Sequence, residues 1–192
     1  MKRDLSVTVI LSIMLPFLGA AASSATDKAV AIGVTVAGKA LSLRAADIKK
    51  IRTLQKDGVT VFYPGSLPAG FKLSTVTIDN QDSKHPDYGL NFCNGKTKFC
   101  FTVETAHDGI GDGPDGDKTY NGKSKIFGKF SVDYFKPFSE GNGTKDDYYL
   151  SSWMRYKKPG SASDQERFYH LYGNGITARQ AVAIIESLAE VK

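Results

Sequence analysis

The sequence has little of what metal, redox and nucleophilic chemistry requires. Its 192 residues include only two cysteines, three histidines, three methionines and one tryptophan. The motifs Gly-x-Ser-x-Gly and His-Glu-x-x-His are both absent, so the sequence predicts neither a serine-hydrolase nucleophile nor a helical zinc site. We therefore assign no catalytic residue. Carboxylates are plentiful, and a small hydrolase with an unrecognised carboxylate pair stays as an alternative.

Positive charge is present but is not concentrated in any segment. The formal net charge is +5 at pH 7, and no run of five or more lysines or arginines occurs. A small charge spread along the chain does not indicate the clustered basic patch that binds a phosphate backbone. We therefore expect no nucleic-acid partner.

The N-terminus has the order of segments that is typical of a secretory signal peptide. Residues 1–3 are Met-Lys-Arg, residues 5–18 are mostly apolar, and residues 19–25 are small. The small residues favour cleavage after Ala25, with Ala22 as the alternative position. The apolar run of about 14 residues is shorter than the roughly 20 that a membrane-spanning helix needs, so an uncleaved anchor is less favoured. No cysteine directly follows the run, which excludes a lipid-modified cysteine there.

These features predict a secreted or periplasmic protein. No later segment is long and apolar enough to span a bilayer, so we expect no transmembrane segment in the mature chain. We divide the chain into a signal peptide over residues 1–25, an N-terminal arm over 26–40 and one domain over 41–192.

Two segments have the apolar spacing of amphipathic helices, one near each end of the domain. The first contains Leu43, Ile48, Ile51 and Leu54. Ser42 is its candidate N-cap. The second contains Ala181, Val182, Ile184, Ile185 and Leu188, and Thr177 with Gln180 forms a capping box at its start. Period-two alternation between the two segments predicts an α+β fold: an antiparallel sheet of about seven strands with an N-terminal and a C-terminal helix packed on one face.

One predicted strand changes its apolar parity along its length. In residues 71–78 the parity slips between Leu73 and Val76. An extra residue at that point restores the pattern, so we predict a β-bulge there.

Aromatic residues are dense between residues 134 and 172, which leaves two interpretations. Exposed rings would form a stacking platform for a sugar or a peptide, whereas rings inside a covered sheet would belong to the core. Unbroken alternation puts one set of residues on one face: Tyr148, Leu150, Met154 and Tyr156. It puts Tyr149 and Trp153 on the other face, and we take these two as the candidate binding residues.

The two cysteines lie in strand-like segments joined by a turn. A two-residue Asn-Gly turn would place Cys93 opposite Lys96, whereas a longer turn places it opposite Cys100. The second register matches Phe92 with Phe101 and Leu90 with Val103. It also allows a disulfide, which needs Cα atoms within about 7 Å. We therefore predict a structural Cys93–Cys100 disulfide; the alternative, a redox-active pair, usually has two residues between its cysteines.

Carboxylates recur in a glycine-rich segment near the middle of the chain. Its aspartates are Asp108, Asp112, Asp115 and Asp117. Hard oxygen ligands on a flexible loop are what Ca²⁺ prefers, so these are candidate calcium ligands, although their spacing departs from the helix-loop-helix pattern. The alternative is a solvated turn, which aspartate and glycine also form well. No other cofactor is predicted.

The three histidines, His85, His107 and His170, fall in different predicted segments. A zinc site made from all three is conceivable, but no ligand spacing indicates it. We expect ordinary surface or half-buried histidines.

Three stretches of the chain carry a resemblance to a known family. The first, residues 61–73, contains Val-Phe-Tyr-Pro followed by Leu-Pro-Ala-Gly-Phe-Lys-Leu; the second is the hairpin over 88–103; the third, residues 172–188, runs from Tyr-Gly-Asn-Gly-Ile-Thr into the last helix. Together they resemble uncharacterised exported bacterial domains that occur alone, in lipoproteins and as outer portions of anti-sigma-factor-like membrane proteins. The resemblance concerns the fold. It brings no catalytic residues, and the cysteine pair is not a hallmark of that family.

The sequence thus favours an exported non-catalytic domain that binds or senses a component of the cell envelope, either a protein or a polysaccharide. A calcium-dependent binding module and a small hydrolase are the alternatives. Converging carboxylates in a deep pocket would favour the hydrolase, and an exposed aromatic face or an open sheet edge would favour partner binding.

Overall fold

The computed structural model describes residues 34–79, 86–107, 111, 115–137, 146–160 and 166–192. The predicted signal peptide lies outside these ranges. Within them are two helices, α1 (Ala45–Lys56) and α2 (Ala178–Glu186). The strands are β1 (Thr35–Val36), β2 (Lys39–Ala40), β3 (Phe62–Pro64), β4 (Phe71–Asp79), β5 (Asp87–Asn94), β6 (Cys100–Ala106), β7 (Lys118–Ser124), β8 (Gly128–Phe135), β9 (Tyr148–Ser151), β10 (Met154–Tyr156), β11 (Arg167–Asn174) and β12 (Leu188–Glu190).

The main sheet is antiparallel and runs in the order β4-β5-β6-β11-β9-β8-β7, with β10 pairing with β11 next to β9. Two smaller antiparallel sheets pair β1 with β2 and β3 with β12. The predicted α+β class with an antiparallel sheet is confirmed. The described part of the main sheet has eight strands. The sequence pattern does not predict β7, because Lys-Thr-Tyr-Asn-Gly-Lys-Ser has almost no apolar alternation.

Strands β5 and β6 form the hairpin that carries both cysteines. Cys93 lies opposite Cys100, and the two form a disulfide with Cα atoms 4.1 Å apart. Phe92 lies opposite Phe101, and their stacked rings have centroids 5.0 Å apart. The predicted register and disulfide are confirmed. The predicted bulge in β4 is confirmed as well, because the register against β5 shifts just after Leu73.

A second bulge separates β9 from β10. Leu150 lies opposite Tyr172, whereas Met154 lies opposite Tyr169, so residues 151–153 face only two residues of β11. The extra residue reverses the face of every side chain after it. The prediction of one shared face is therefore wrong for the set Tyr148, Leu150, Met154 and Tyr156.

Helix α1 lies beside the edge strand β4 and binds its backbone. Arg44 and Lys50 donate to carbonyl oxygens of β4 at 2.6 and 2.5 Å, and the Asp47 carboxylate accepts from the Val76 N–H at 3.4 Å. The prediction of Ser42 as N-cap is wrong. The N-cap is Arg44, which makes no side-chain cap and instead pairs with Asp47 at 2.6 Å.

Helix α2 begins with the predicted capping box. The Thr177 hydroxyl accepts from the Gln180 N–H at 3.2 Å, and the Gln180 side chain accepts from the Thr177 N–H at 2.8 Å. Satisfying two otherwise unpaired N–H groups fixes the start of the helix. The helix packs against β7 and β8 and buries Ala181, Ile184 and Ile185.

The two faces of the main sheet differ in burial. One face, the core face, is formed by residues that include Val76, Leu90, Phe92, Phe101, Val103, Phe130, Val132, Tyr149, Tyr169 and Leu171. These residues share one hydrophobic core with Ile51 of α1 and with Ile184 and Ile185 of α2. The opposite face, the outer face, receives the alternate residues of the same strands. The candidate site lies on the outer face.

The described part of the predicted N-terminal arm, residues 34–40, is bonded to the C-terminal end of the chain. Thr35 and Lys192 exchange two backbone hydrogen bonds of 2.9 Å, and Val36 forms a bridge with Val191. Val36 is buried in the core. This part of the arm therefore packs with the rest of the described chain.

Candidate functional site

Five aromatic side chains form a continuous row across the outer face. Neighbouring ring centroids are between 3.8 and 6.5 Å apart. In order, the aromatic row consists of Phe135, Tyr148, Tyr172, His170 and Trp153. Every ring except that of His170 is half-buried, so each leaves part of its surface to solvent.

Strand pairing explains why these rings meet. Phe135 lies opposite Tyr148 in the β8–β9 pair. Tyr172 of β11 is the diagonal neighbour of Tyr148 in the β9–β11 pair. His170 precedes Tyr172 by two residues and so shares its face. Trp153 belongs to the bulge between β9 and β10, and its ring stacks on that of His170 at 3.8 Å and 15°. Three neighbouring strands contribute, so the row spans about 10 Å.

Glu104 places a carboxylate beside the aromatic row. It lies opposite His170, and its Oε1 is 2.8 Å from His170 Nε2. Burial, with a smaller contribution from Glu104, raises the pKa of Tyr172, and burial raises the pKa of Tyr148 to about 12. Both phenols are therefore protonated at neutral pH and can donate hydrogen bonds.

His170 is held in place and is not presented to a ligand. The residue is 8 % exposed, Nε2 faces Glu104, and Nδ1 is buried without a hydrogen-bond partner. A general base needs a nitrogen within reach of the substrate proton. The geometry therefore makes His170 a support for Trp153 and a partner of Glu104. Of the other histidines, His85 lies outside the described residues and His107 is half-buried.

A shallow polar pocket of about 400 Å³ adjoins the row at Glu104. Thr77 and Gly89 contribute to its lining. A Cβ atom on Gly89 would lie 2.8 Å from Thr77 Oγ1, so the glycine keeps this surface recessed. Asp87, also in the lining, is paired with Arg167 at 2.8 Å. The pocket offers hydroxyl and carboxylate oxygens next to the rings.

No family model, curated protein or solved structure matches this chain. The family resemblance drawn from the sequence therefore stays a prediction, and function is inferred from the geometry of the site. Neither helix in the described ranges is long and apolar enough to cross a membrane.

The two candidate binding residues lie on opposite faces of the main sheet. Trp153 is part of the aromatic row. Tyr149 lies on the core face, where it is 7 % exposed and its ring centroid is 5.4 Å from that of Tyr134. Tyr148 and Tyr172, which do line the row, are placed in strands by the sequence pattern. Which strands neighbour each other is not encoded in that pattern, so the row itself is missed.

The predicted calcium loop is only partly described. Asp108 and Asp112 lie outside the described residues, whereas Asp115 and Asp117 are exposed. Lys136 donates its backbone N–H to Asp117 at 2.8 Å and brings its ammonium to 3.3 Å; these contacts lower the pKa of that carboxyl. The described ranges contain no group of three or more histidine, cysteine or carboxylate side chains placed to hold a metal. Calcium binding stays a prediction, which a rise in melting temperature on adding calcium would support.

Proposed function

We propose that the chain is an exported, non-catalytic protein that binds a polysaccharide of the cell envelope on its outer face. The observation that carries this proposal is the continuous aromatic row with the Glu104 carboxylate at its side. The helices cover the core face in this proposal, which leaves the outer face open to the ligand.

The chemistry of a sugar fits this combination of side chains. A sugar ring has an apolar face of C–H groups and a rim of hydroxyl groups. Half-buried tyrosine and tryptophan rings accept the apolar face, while their polar atoms stay available for hydrogen bonds. Glu104 and the pocket oxygens beside it accept hydrogen bonds from the hydroxyl rim. A purely apolar ligand would displace water from the remaining acceptor positions of these oxygens without replacing its hydrogen bonds, which is costly.

The length of the row favours a polymer over a single sugar. The rings come from three neighbouring strands and extend over about 10 Å, which is more than one sugar ring occupies. A row of separate stacking surfaces binds successive units of a chain. His170 Nε2 is bonded to Glu104 and its Nδ1 is buried, so neither nitrogen reaches a ligand, which supports binding without cleavage by a histidine base.

Export is supported by two features. The N-terminal order of basic, apolar and small residues is that of a signal peptide. The disulfide between Cys93 and Cys100 is of the kind that persists in an oxidising compartment. The mass of natively produced protein tests this step: residues 1–25 should be missing, and no free thiol should be present.

Trp153 makes the binding step directly measurable. It is the only tryptophan in the chain, so its fluorescence reports on the aromatic row alone. The mature protein is titrated with soluble peptidoglycan fragments and with oligosaccharides from an extracellular polysaccharide. At least one of these should shift or quench the emission in a saturable way.

A pair of matched variants locates the effect. Tyr172→Ala removes a ring of the row and should weaken binding by about 1 kcal/mol, or roughly fivefold. Tyr120→Ala removes a half-buried tyrosine of β7 outside the row and should leave affinity unchanged. Circular dichroism confirms that each variant is folded. The proposal is wrong if no polysaccharide changes the emission of folded protein, if a peptide does so instead, or if both variants weaken binding equally.

A further inference from the structure

The β4 and β7 edges of the main sheet differ in how many of their outward backbone groups are already bonded. At the β4 edge, α1 occupies the outward backbone groups: Lys50 donates to the Val76 carbonyl at 2.5 Å, and Asp47 accepts from the Val76 N–H at 3.4 Å. An edge whose backbone groups are already bonded cannot accept another strand there. At the β7 edge, α2 makes one contact of this kind among the described residues, from the Glu186 carboxylate to the Lys123 N–H.

The backbone of β7 presents open hydrogen-bonding groups. The strand pairs only with β8 in the described sheet. The Lys123 N–H points towards the Glu186 carboxylate, 3.5 Å away, and not towards β8. Because hydrogen-bonding direction alternates along a strand, the N–H and C=O groups of Asn121 and Thr119 also point away from β8, in the plane of the sheet. Both residues are exposed, and no described residue bonds to these outward groups.

Lysines outnumber carboxylates around this edge, where Asp133 bonds to the Thr119 hydroxyl and Glu186 lies at the Lys123 N–H. Exposed lysines lie along β7 and the turn into β8 at Lys118, Lys123, Lys125 and Lys129. Like charges would oppose each other if two copies of this chain met edge to edge. An acidic strand would instead be attracted to the same lysines.

An open groove next to the edge offers a place for a side chain. It has a volume of about 600 Å³ and is lined by Asn121, Gly122, Lys123, Lys129, Phe130 and Glu186. The Phe130 ring lies over Gly122, where a Cβ atom would be 2.2 Å from the ring. The groove therefore combines an aromatic floor with lysines at its rim, which suits an apolar side chain flanked by carboxylates.

From these observations we infer that the β7 edge is a docking site for an extended acidic peptide segment of a partner protein. The segment adds a strand to the main sheet by bonding to the outward backbone groups of Thr119 and Asn121. Its carboxylates face Lys123 and Lys129, and one apolar side chain enters the groove over Phe130. This site is separate from the aromatic row and does not depend on the proposed polysaccharide.

The probe is a short fluorescent peptide in which glutamate and valine alternate, with fluorescence anisotropy as the measurement. The mature protein should bind it in a saturable, salt-sensitive way. A peptide with lysine in place of glutamate should not bind. A Glu/Val peptide that is N-methylated on alternate amides cannot complete the strand pairing and should also fail to bind, which tests strand addition without altering the protein.

Charge-reversal variants test whether the peptide binds at the β7 edge. Lys123→Glu with Lys129→Glu should weaken binding by about tenfold, because two attractive contacts become repulsive. Lys72→Glu, an exposed lysine of β4 at the opposite edge, makes the same kind of change and should have little effect. Trp153→Ala should leave peptide binding intact, which separates this site from the aromatic row. The inference is overturned if the lysine or N-methylated peptide binds equally well, if Lys72→Glu weakens binding as much, or if sedimentation shows the edge paired with a second copy.

Discussion

Trp153 stacks on His170 with ring centroids 3.8 Å apart and planes 15° from parallel. His170 lies in β11 and Trp153 in the bulge between β9 and β10, and the two meet because this bulge at residues 151–153 turns the indole to the outer face. His170 is fixed from its other side by Glu104, 2.8 Å from its Nε2. One end of the aromatic row is therefore held by a chain of contacts from carboxylate to imidazole to indole.

Replacing His170 by leucine should break this chain. The change removes the ring on which Trp153 packs and leaves Glu104 without its donor. We expect the free energy of unfolding to fall by about 1–2 kcal/mol, the size of an aromatic pair together with a hydrogen bond. Urea unfolding followed by far-ultraviolet circular dichroism measures it. His170→Phe keeps a ring and should lose less; equal stability of His170→Leu and the native protein would contradict this account.

The cysteine hairpin shows which parts of the fold the local pattern can predict. Its strands are joined by a short turn, so only two registers compete, and one of them alone pairs Phe92 with Phe101 and brings Cys93 to Cys100. The bulge after Leu73 is predictable for a similar reason, because the apolar parity on the core face visibly slips there. In both cases the pattern that decides the structure lies within a few residues of the chain.

The aromatic row shows where local pattern fails. Residues Tyr148 and Tyr149 are both aromatic, so alternation does not reveal which of them faces the core, and the bulge before Met154 leaves no visible slip. On one side β11 pairs with β9 and β10, which precede it in the chain, and on the other side with β6, which is distant in the sequence. Glu104 and His170 therefore meet through strand order alone. That order is decided by packing of the whole core and not by any short segment.

The Cys93–Cys100 disulfide should contribute to stability mainly by restricting the unfolded chain. For so short a loop the chain-entropy account gives roughly 2–2.5 kcal/mol. Replacing both cysteines by serine should lower the urea midpoint accordingly, without changing the far-ultraviolet spectrum at low denaturant. Adding a reductant to the native protein should give the same midpoint as the variant. A reductant that has no effect on a protein shown to have lost its disulfide would contradict this prediction.

Asp117 should be ionised at a lower pH than an ordinary aspartate. The main cause is the hydrogen bond from the Lys136 backbone N–H, with further contributions from the Lys136 side chain, and both lower the pKa of Asp117. A carboxyl of this kind supports folding above its unfolded pKa and loses that support as the pH falls through its folded pKa.

Lys136→Ala separates the two causes, because it removes the ammonium and keeps the backbone donor. We expect the pKa of Asp117 in this variant to rise part of the way towards the ordinary value. A carbon-detected NMR titration of the carboxyl measures both forms. An unchanged titration in Lys136→Ala would show that the ammonium at 3.3 Å has no influence on Asp117.

Tyr148 should make the folded protein sensitive to alkali. Burial, with smaller contributions from Tyr172 and Glu104, raises its pKa to about 12, whereas a phenol in the unfolded chain titrates near 10. The unfolded state therefore loses its proton first. The stability linked to this group is complete below pH about 10 and is lost as the pH rises towards 12. The urea midpoint should accordingly fall over that interval.

Tyr148→Phe cannot ionise and should retain more of its neutral-pH stability than the native protein does at high pH. Phenolate absorbance, recorded on the same samples, should appear later in folded than in denatured protein. If Tyr148→Phe follows the native curve throughout, Tyr148 is not the group that couples alkali to unfolding.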